Sequence, residues 1–158
     1  MDLLGTGITR ASGFRSFSIP STSMESTIRV GDHLIADARY YDSRPPARQD
    51  LVIFKHGDLL VVKRVIAIGG DIIQGKDGNV ILNGQEIDEP YVQHVGSPFA
   101  DPAIFGEQDW RRNFGPTKVP EGEYFVMGDN RDYSLDSRDP QVGSYDRTSV
   151  VGKALYVF

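Results

Sequence analysis

The chain has 158 residues, a net charge of -5 at pH 7 and no cysteine. This length suits one domain, and the acidic balance gives no support for nucleic acid as the main partner. The lack of cysteine excludes a disulfide framework, a thiolate zinc site and a cysteine nucleophile. No stretch approaches the ~18 consecutive apolar residues of a membrane-spanning helix. The chain as given is therefore expected to be a soluble domain, or the soluble part of an anchored protein.

Short apolar runs separated by turn residues predict a chain built mainly of β-strands. They follow a weakly ordered lead-in over residues 1–16. In chain order, strands are predicted at residues 17–19, 33–36, 51–54, 59–68, 71–74, 79–82, 85–87, 124–127 and 150–158. Asn83-Gly84 is a strong signal for a two-residue hairpin turn. Because no helical periodicity appears, the predicted fold is an antiparallel sheet that is closed or folded over.

The segment over residues 91–120 breaks this pattern with glycine, proline, aspartate and scattered aromatic residues. It is predicted to be an irregular insertion on the surface. A polar loop is predicted over residues 128–147, before the final strand. The remainder is expected to form a single domain over residues 17–158.

Lys63 lies inside the longest predicted strand, Leu59–Ile68, which is apolar on both faces. Alternate residues of a strand share a face, so Lys63 lies beside Val61 and Val65. Burial among apolar neighbours disfavours the ammonium and favours the neutral amine. Edge strands also carry inward lysines that protect against aggregation, so Lys63 alone does not define a catalytic site.

Ser23 lies in the run Pro20-Ser21-Thr22-Ser23-Met24, before the lysine strand in the chain. Taken alone, such a run usually forms a turn. A neutral amine can, however, remove the proton of a serine hydroxyl, and Ser-Lys pairs are a known variant of the serine nucleophile with its base. Ser23 and Lys63 together predict a Ser-Lys hydrolase.

Residues 128–138 bring acids and arginines together in the polar loop. Taken alone, this is a solvated loop whose surface ion pairs contribute ~0–1 kcal/mol each. A calcium loop is disfavoured, because Arg131 occupies the third position, where an EF-hand loop needs an oxygen ligand. No metal site is expected here.

Three histidines, His33, His56 and His94, are candidates for the base of an ordinary Ser-His-Asp triad. No Gly-x-Ser-x-Gly elbow is present to display a serine. We expect the three rings to face solvent or to lie at strand edges.

The segments around Ser23 and Lys63 and the loop at residues 128–138, in this order, resemble type I signal peptidase. This family of serine proteases removes signal peptides from exported proteins. The resemblance covers residues 14–158 and implies that Ser23 is the nucleophile and Lys63 the general base. It also implies an antiparallel β catalytic core with a small inserted region, here at about residues 75–119.

The resemblance also implies roles around the pair. The Ser21 hydroxyl and the Ser23 backbone N–H would form the oxyanion hole, and Ser134 would orient the lysine amine. The structural support would come from two ion pairs, Arg64 with Asp129 and Asp136 with Arg138. The residues implied as substrate pocket are Phe17, Ile19, Met24, Ile53 and Val62.

Two positions depart from the family pattern. Ser26 stands where the pattern Ser-Met-x-Pro-Thr has proline. The run Asp139-Pro140-Gln141 follows Arg138, where the family often has an aromatic residue and a glycine. Neither position carries chemistry.

The implied activity is cleavage after small residues, of the Ala-x-Ala type, in precursors that bear signal peptides, without cofactor or metal. The family also implies that the parent protein lies at the outer face of the bacterial cytoplasmic membrane. The membrane surface is then a partner, and we expect exposed apolar surface near Phe17 and Ile19 to meet it.

Two alternatives remain open at this point. A self-cleaving Ser-Lys protease of the repressor type needs a DNA-binding domain and a cleavage segment before the serine, and few residues precede Ser23. A non-catalytic β-rich binding module would retain the loops as scaffold. A serine-reactive acylating probe would leave Ser23 of such a module unlabelled.

Overall fold

The computed structural model describes residues 4–6, 13–95 and 110–158. These residues form β-strands and one turn of 3-10 helix at Arg147–Ser149. The strands are β1 Leu4–Thr6, β2 Phe14–Ser18, β3 His33–Asp37, β4 Leu51–His56, β5 Leu59–Ile68, β6 Ile72–Lys76, β7 Asn79–Leu82, β8 Gln85–Glu86, β9 Phe114–Lys118, β10 Glu123–Met127, β11 Tyr145–Asp146 and β12 Val150–Val157. The predicted class, mainly β and antiparallel, is confirmed.

The larger sheet carries the lysine strand near its middle. Its strand order is β1-β2-β3-β12-β4-β5-β10-β11, so β5 lies between β4 and β10. Both faces of β5 are covered: Val61 and Val65 pack into one apolar cluster and Val62 into another. Apart from Leu59, which is exposed, β5 is buried or half-buried on both faces, which agrees with its apolar sequence.

The second sheet has the order β8-β7-β6-β9 and follows β5 directly in the chain. Asn83 and Gly84 form the predicted turn, both with positive φ. Strand β9 lies in the segment that was predicted to be irregular, so that prediction is wrong there. Gly115 and Pro116 make the sequence of β9 atypical of a strand. In the described sheet, β9 pairs only with β6 and is therefore an edge strand, where proline is tolerated. Residues 96–109 of the predicted insertion lie outside the described residues.

Part of the predicted lead-in also forms strands. β1 pairs with β2, while Phe14 and Arg15 pair with Asp37 and Ala36 of β3. Residues 1–3 and 7–12 of the lead-in lie outside the described residues. Over the ranges that the structure covers, no helix has the length and apolar character needed to cross a membrane.

Candidate active site

Strand β5 brings the amine of Lys63 to the hydroxyl of Ser23. The Lys63 Nζ lies 2.8 Å from the Ser23 Oγ, and the two residues are 1% and 3% exposed. The ammonium form donates this hydrogen bond. The neutral amine can accept the Ser23 proton across the same short contact.

The surroundings of Lys63 favour its neutral form. Burial lowers the pKa of Lys63 from 10.5 to about 8. The charge of Arg138 acts in the same direction, while Asp136 and Asp129 oppose it. A substantial fraction of the amine is therefore neutral at mildly alkaline pH.

Ser23 lies in a tight turn that the neighbouring loop holds in place. We call residues 21–28 the nucleophile turn and residues 128–138 the acidic loop. Within the turn, the Ile28 N–H donates to the Met24 carbonyl at 2.8 Å. From the acidic loop, Asn130 donates its backbone N–H to the Ser23 carbonyl at 3.1 Å and its side-chain amide to the Thr22 carbonyl at 3.0 Å. Asn130 therefore fixes the backbone on both sides of the nucleophile's amide.

The predicted oxyanion donors are adjacent. The Ser23 N–H donates to the Ser21 Oγ at 3.2 Å. A hydroxyl can accept one hydrogen bond and donate another. The Ser21 hydroxyl proton is thus available for an oxyanion, whereas the Ser23 N–H has to leave the Ser21 Oγ in order to donate to the same oxyanion. Their role as an oxyanion hole stays a prediction.

The pairing of Arg64 with Asp129 is present, and it is bidentate. The Arg64 Nε and Nη2 donate to the two Asp129 carboxylate oxygens at 2.9 and 2.7 Å. The Thr27 hydroxyl donates to the same carboxylate at 2.5 Å. Asp129 therefore joins β5, the nucleophile turn and the acidic loop.

The second predicted pair, Asp136 with Arg138, is also bidentate and fully buried. Arg138 donates from Nε and Nη2 at 2.8 and 2.9 Å. Burial opposes the charged form of Asp136, but the Arg138 guanidinium outweighs it and lowers the pKa of Asp136 to about 2. The picture of a solvated loop with exposed ion pairs is therefore wrong for this segment, because tertiary packing covers it.

Ser134 is buried against Gly128, which also lies next to the Ser23 carbonyl. A Cβ at position 128 would overlap both the Ser134 side chain and the Ser23 carbonyl oxygen. Only glycine lets the acidic loop approach this closely. The Ser134 hydroxyl is one of the groups that lower the pKa of the buried Asp136 carboxylate. Its orienting role toward Lys63 stays a prediction.

The five residues implied as substrate pocket lie together in one apolar cluster. All five are buried: Phe17, Ile19, Met24, Ile53 and Val62. The expectation of exposed apolar surface near Phe17 and Ile19 is wrong, since these residues are 2% and 3% exposed. Their alternation on β2 and after it turns both side chains into the core between sheet and nucleophile turn.

The three histidines contact other partners. The His56 Nδ1 lies 3.0 Å from the Tyr145 hydroxyl, and His33 stacks on Phe158. His94 faces Asp132 at 3.6 Å. Each of the three is solvent-exposed, as expected, and none provides an imidazole base for Ser23.

Sequence reasoning missed Asn130, Thr27 and Gly128. Each contacts the nucleophile turn or Asp129 across a long separation in the chain, so local patterns carry no signal for the contact. Gly128 offered the one available clue, a glycine placed directly between a buried strand and the acidic loop.

A buried serine hydroxyl, an amine with a lowered pKa and an adjacent N–H and hydroxyl define the class of serine hydrolases that use an amine as base. Comparison with known proteins narrows this class. Residues 3–158 match the family described as signal peptidase, peptidase S26, and the chain belongs to that family. This membership removes the repressor-type alternative.

Several relatives agree with this assignment. Signal peptidase I V of Bacillus subtilis is 34% identical over 140 residues, which are 88% of this chain and 82% of that protein. Probable signal peptidase I-2 of Synechocystis is 35% identical over 166 residues, covering 97% of this chain and 69% of the relative. The crystal structure of a signal peptidase I from Enterococcus faecalis superposes with a TM-score of 0.53 at 30% identity, covering 72% of this chain and 98% of that one.

Proposed function

We propose that this chain is a serine endopeptidase that removes N-terminal signal peptides from exported precursors, with Ser23 as nucleophile and Lys63 as general base. One observation carries the proposal: the 2.8 Å contact between the Lys63 Nζ and the Ser23 Oγ, with both residues buried. A base needs hydrogen-bond reach and a pKa near the working pH, and Lys63 meets both conditions.

The reaction follows from these positions. Neutral Lys63 takes the Ser23 proton while Oγ bonds to the carbonyl carbon of the scissile peptide. The carbonyl oxygen becomes negative and accepts hydrogen bonds from the Ser23 N–H and the Ser21 hydroxyl. The Lys63 ammonium then gives its proton to the leaving amine as the C–N bond breaks. Lys63 then takes a proton from water as the water oxygen bonds to the carbonyl carbon of the Ser23 ester. The bond from that carbon to Oγ breaks, Lys63 returns the proton to Oγ, and the signal peptide leaves with a carboxylate.

The extended substrate can bind along an open edge of β5. Pairing with β10 covers Arg64–Ile68, whereas among the described strands residues 59–63 pair with β4 alone. The Val65 N–H and C=O bond toward the β4 side, so those of Val62 face the other way. A peptide added at this edge would run beside Lys63 and Ser23.

The residues predicted to line the substrate pocket are tightly packed, which is consistent with specificity for small substrate side chains. Met24 and Val62 are 1% and 6% exposed, so the apolar cluster leaves little room for a large side chain. We propose that it accepts residues such as alanine, one and three positions before the cut.

A comparison of four variants tests the function. Ser23→Ala and Lys63→Met should each abolish cleavage of a precursor peptide with an Ala-x-Ala site, while Ser43→Ala and Lys55→Met, at exposed positions, serve as matched controls. A serine-reactive acylating probe should label Ser23 in the wild-type chain. A probe that leaves Ser23 unlabelled would favour the binding-module alternative, and turnover retained by either site variant would contradict the pair.

We further propose that the parent protein acts at the outer, extracytoplasmic face of the bacterial cytoplasmic membrane, where precursors emerge. Tyr156 and Phe158, at the end of β12, are 70% and 67% exposed. His33 pairs with both Phe158 and Ser18, so these rings lie at the sheet end where the chain enters the nucleophile turn. Exposed aromatic side chains suit a membrane interface. Sedimentation with zwitterionic lipid vesicles should weaken in a Tyr156→Ser, Phe158→Ser double variant, and unchanged sedimentation would argue against this surface.

A further inference from the structure

Residues 89–93, which follow β8 in the chain, contact the nucleophile turn directly. We call these residues the strap. The Ser26 hydroxyl donates to the Tyr91 carbonyl at 2.8 Å. Ser26 lies three residues after Ser23 in the nucleophile turn. This hydrogen bond therefore anchors the turn to a segment 65 residues away in the chain.

The strap also covers the ion pair beside the lysine. The Arg64 guanidinium lies over the Tyr91 ring, 3.9 Å from its centroid. Arg64 follows Lys63 in β5 and donates to Asp129 from its Nε and Nη2. The Tyr91 ring thereby limits water access to this pair, and a lower local dielectric strengthens the attraction between its charges.

Both ends of the strap are bound to the acidic loop. The Gln93 N–H donates to the Asp129 carbonyl at 2.9 Å, and the Arg131 N–H donates to the Gln93 carbonyl at 3.0 Å. At the other end, Arg131 donates two hydrogen bonds to the Glu89 carboxylate, at 2.9 and 2.5 Å. The Arg131 side chain is 2% exposed, so this is a buried bidentate pair.

A second path leads from the strap to the nucleophile. Gln93 forms a parallel bridge with Asn130. Asn130 in turn donates its N–H to the Ser23 carbonyl. The strap therefore holds the nucleophile turn from two sides, through Ser26 and through Asn130.

The backbone at Ser26 shows that this turn needs such support. Its φ is +88°, a left-handed conformation that a serine rarely adopts. Such conformations persist when the surroundings hold them in place. Proline fixes φ near -65°, so the proline of the family pattern does not fit this backbone. The contact between Ser26 and the strap belongs to the turn as this chain builds it.

We propose that the strap positions the Ser23 Oγ against the Lys63 Nζ, with Tyr91 as the central positioning residue. This proposal rests on the Ser-Lys function proposed above. The backbone carbonyl of Tyr91 acts on the nucleophile side through Ser26. The Tyr91 ring acts on the side of the base through Arg64.

The first test follows acylation of Ser23 by a small serine-reactive probe across pH, at a temperature where every variant is folded. The variants are Tyr91→Leu, which removes the ring, and Tyr91→Phe, which keeps the ring and loses only the hydroxyl that donates to the Glu89 carboxylate at 2.9 Å. Tyr40→Leu is the matched control, because Tyr40 is also half-buried beneath a cation, with the Arg44 Cζ 4.6 Å from its ring centroid.

For Tyr91→Leu we expect a plateau rate at least roughly tenfold below wild type with the pH midpoint unchanged, since a small displacement of a reacting atom is costly. Tyr91→Phe and Tyr40→Leu should keep the wild-type rate. A Tyr91→Leu chain acylated at the wild-type rate overturns the proposal. An upward shift of the midpoint with an unchanged plateau also overturns it, because Tyr91 would then act on the burial of Lys63.

Ser26→Gly tests the other contact, since glycine adopts the positive φ but has no hydroxyl. Its plateau rate should also fall, and a wild-type rate would contradict anchoring through Ser26.

Hydrogen exchange of the Asn130 amide, the donor to Ser23, gives a readout that needs no activity. Exchange should be faster in Tyr91→Leu than in Tyr91→Phe, and equal exchange overturns the positioning role. If the probe acylates the wild-type chain no faster than Ser23→Ala, the proposed Ser-Lys function is wrong. The comparison of hydrogen-exchange rates between Tyr91→Leu and Tyr91→Phe then still tests the positioning role of the strap.

Discussion

Asp129 binds Arg64 through both carboxylate oxygens, and Arg64 directly follows Lys63 in β5. The Asp129 side chain is fully buried, and that of Arg64 is 11% exposed. Removal of one partner from such a pair leaves an uncompensated buried charge. The same carboxylate raises the pKa of Lys63, so Asp129 links the stability of the fold to the state of the base.

Asp129→Asn should therefore have two effects. The free energy of unfolding should fall by about 3–5 kcal/mol, which for a domain of this size lowers Tm by on the order of 10 °C. In the folded fraction, the pH midpoint of activity should move downward, because a charge that raises the pKa of Lys63 is lost. Thermal melts and pH–rate profiles measure these two effects separately.

Asp58→Asn is the control for this change. Asp58 is exposed in the turn between β4 and β5, and its replacement should leave both Tm and the pH midpoint at wild-type values. If Asp129→Asn has the Tm of wild type, the ion pair of Arg64 with Asp129 contributes nothing to stability.

The pH dependence of kcat/KM should report Lys63. Activity should rise through about pH 8, because burial lowers the pKa of Lys63 to that value and the neutral amine is the active form. Val65→Thr, which places a hydroxyl on the buried face of β5, should move the midpoint upward toward 10.5. A limb near pH 6.5 that vanishes when one histidine is replaced would instead identify an imidazole base.

The buried lysine should reduce stability at neutral pH. The folded pKa of about 8 lies below the reference value of 10.5, so between these values the unfolded chain binds more protons and stability rises with pH. Lys63→Met removes the cost of burying the ammonium. Below pH 8, the free energy of unfolding of this variant should exceed that of wild type by up to about 3 kcal/mol. Chemical denaturation at several pH values should show this difference shrinking toward pH 10.5. A variant less stable than wild type at pH 7 would contradict a destabilising ammonium.

Ser21→Ala should slow catalysis without preventing the first proton transfer. It removes one proposed oxyanion donor, which typically costs roughly 10²–10³-fold in kcat. KM should change little, because the bond forms mainly in the transition state. Steady-state kinetics with a precursor peptide measure both constants. A rise in KM with kcat unchanged would show that Ser21 binds the ground state instead.

Several features could be predicted from local sequence. Strand β5 was predicted with its observed bounds, because ten residues with two apolar faces leave few alternatives. The Asn83-Gly84 turn was predicted because its positive φ values favour these residue types. The charged partners in the acidic loop were assigned from the family pattern, and the structure places each with its predicted partner.

Chain-specific contacts across long separations could not be predicted. Exposure near Phe17 and Ile19 was predicted wrongly, because alternation along a strand gives two faces without saying which one the nucleophile turn covers. Tyr91 stacks on Arg64, and the Asn130 N–H donates to the Ser23 carbonyl. Each contact joins residues that are far apart in the chain and share no local sequence pattern. The sequence by itself determined the strands, the turns and the lysine on an apolar face, since these depend on neighbours in the chain. The tertiary structure alone decided the distance between Lys63 and Ser23, the burial of the acidic loop and the placement of the strap, because these depend on how separate segments pack.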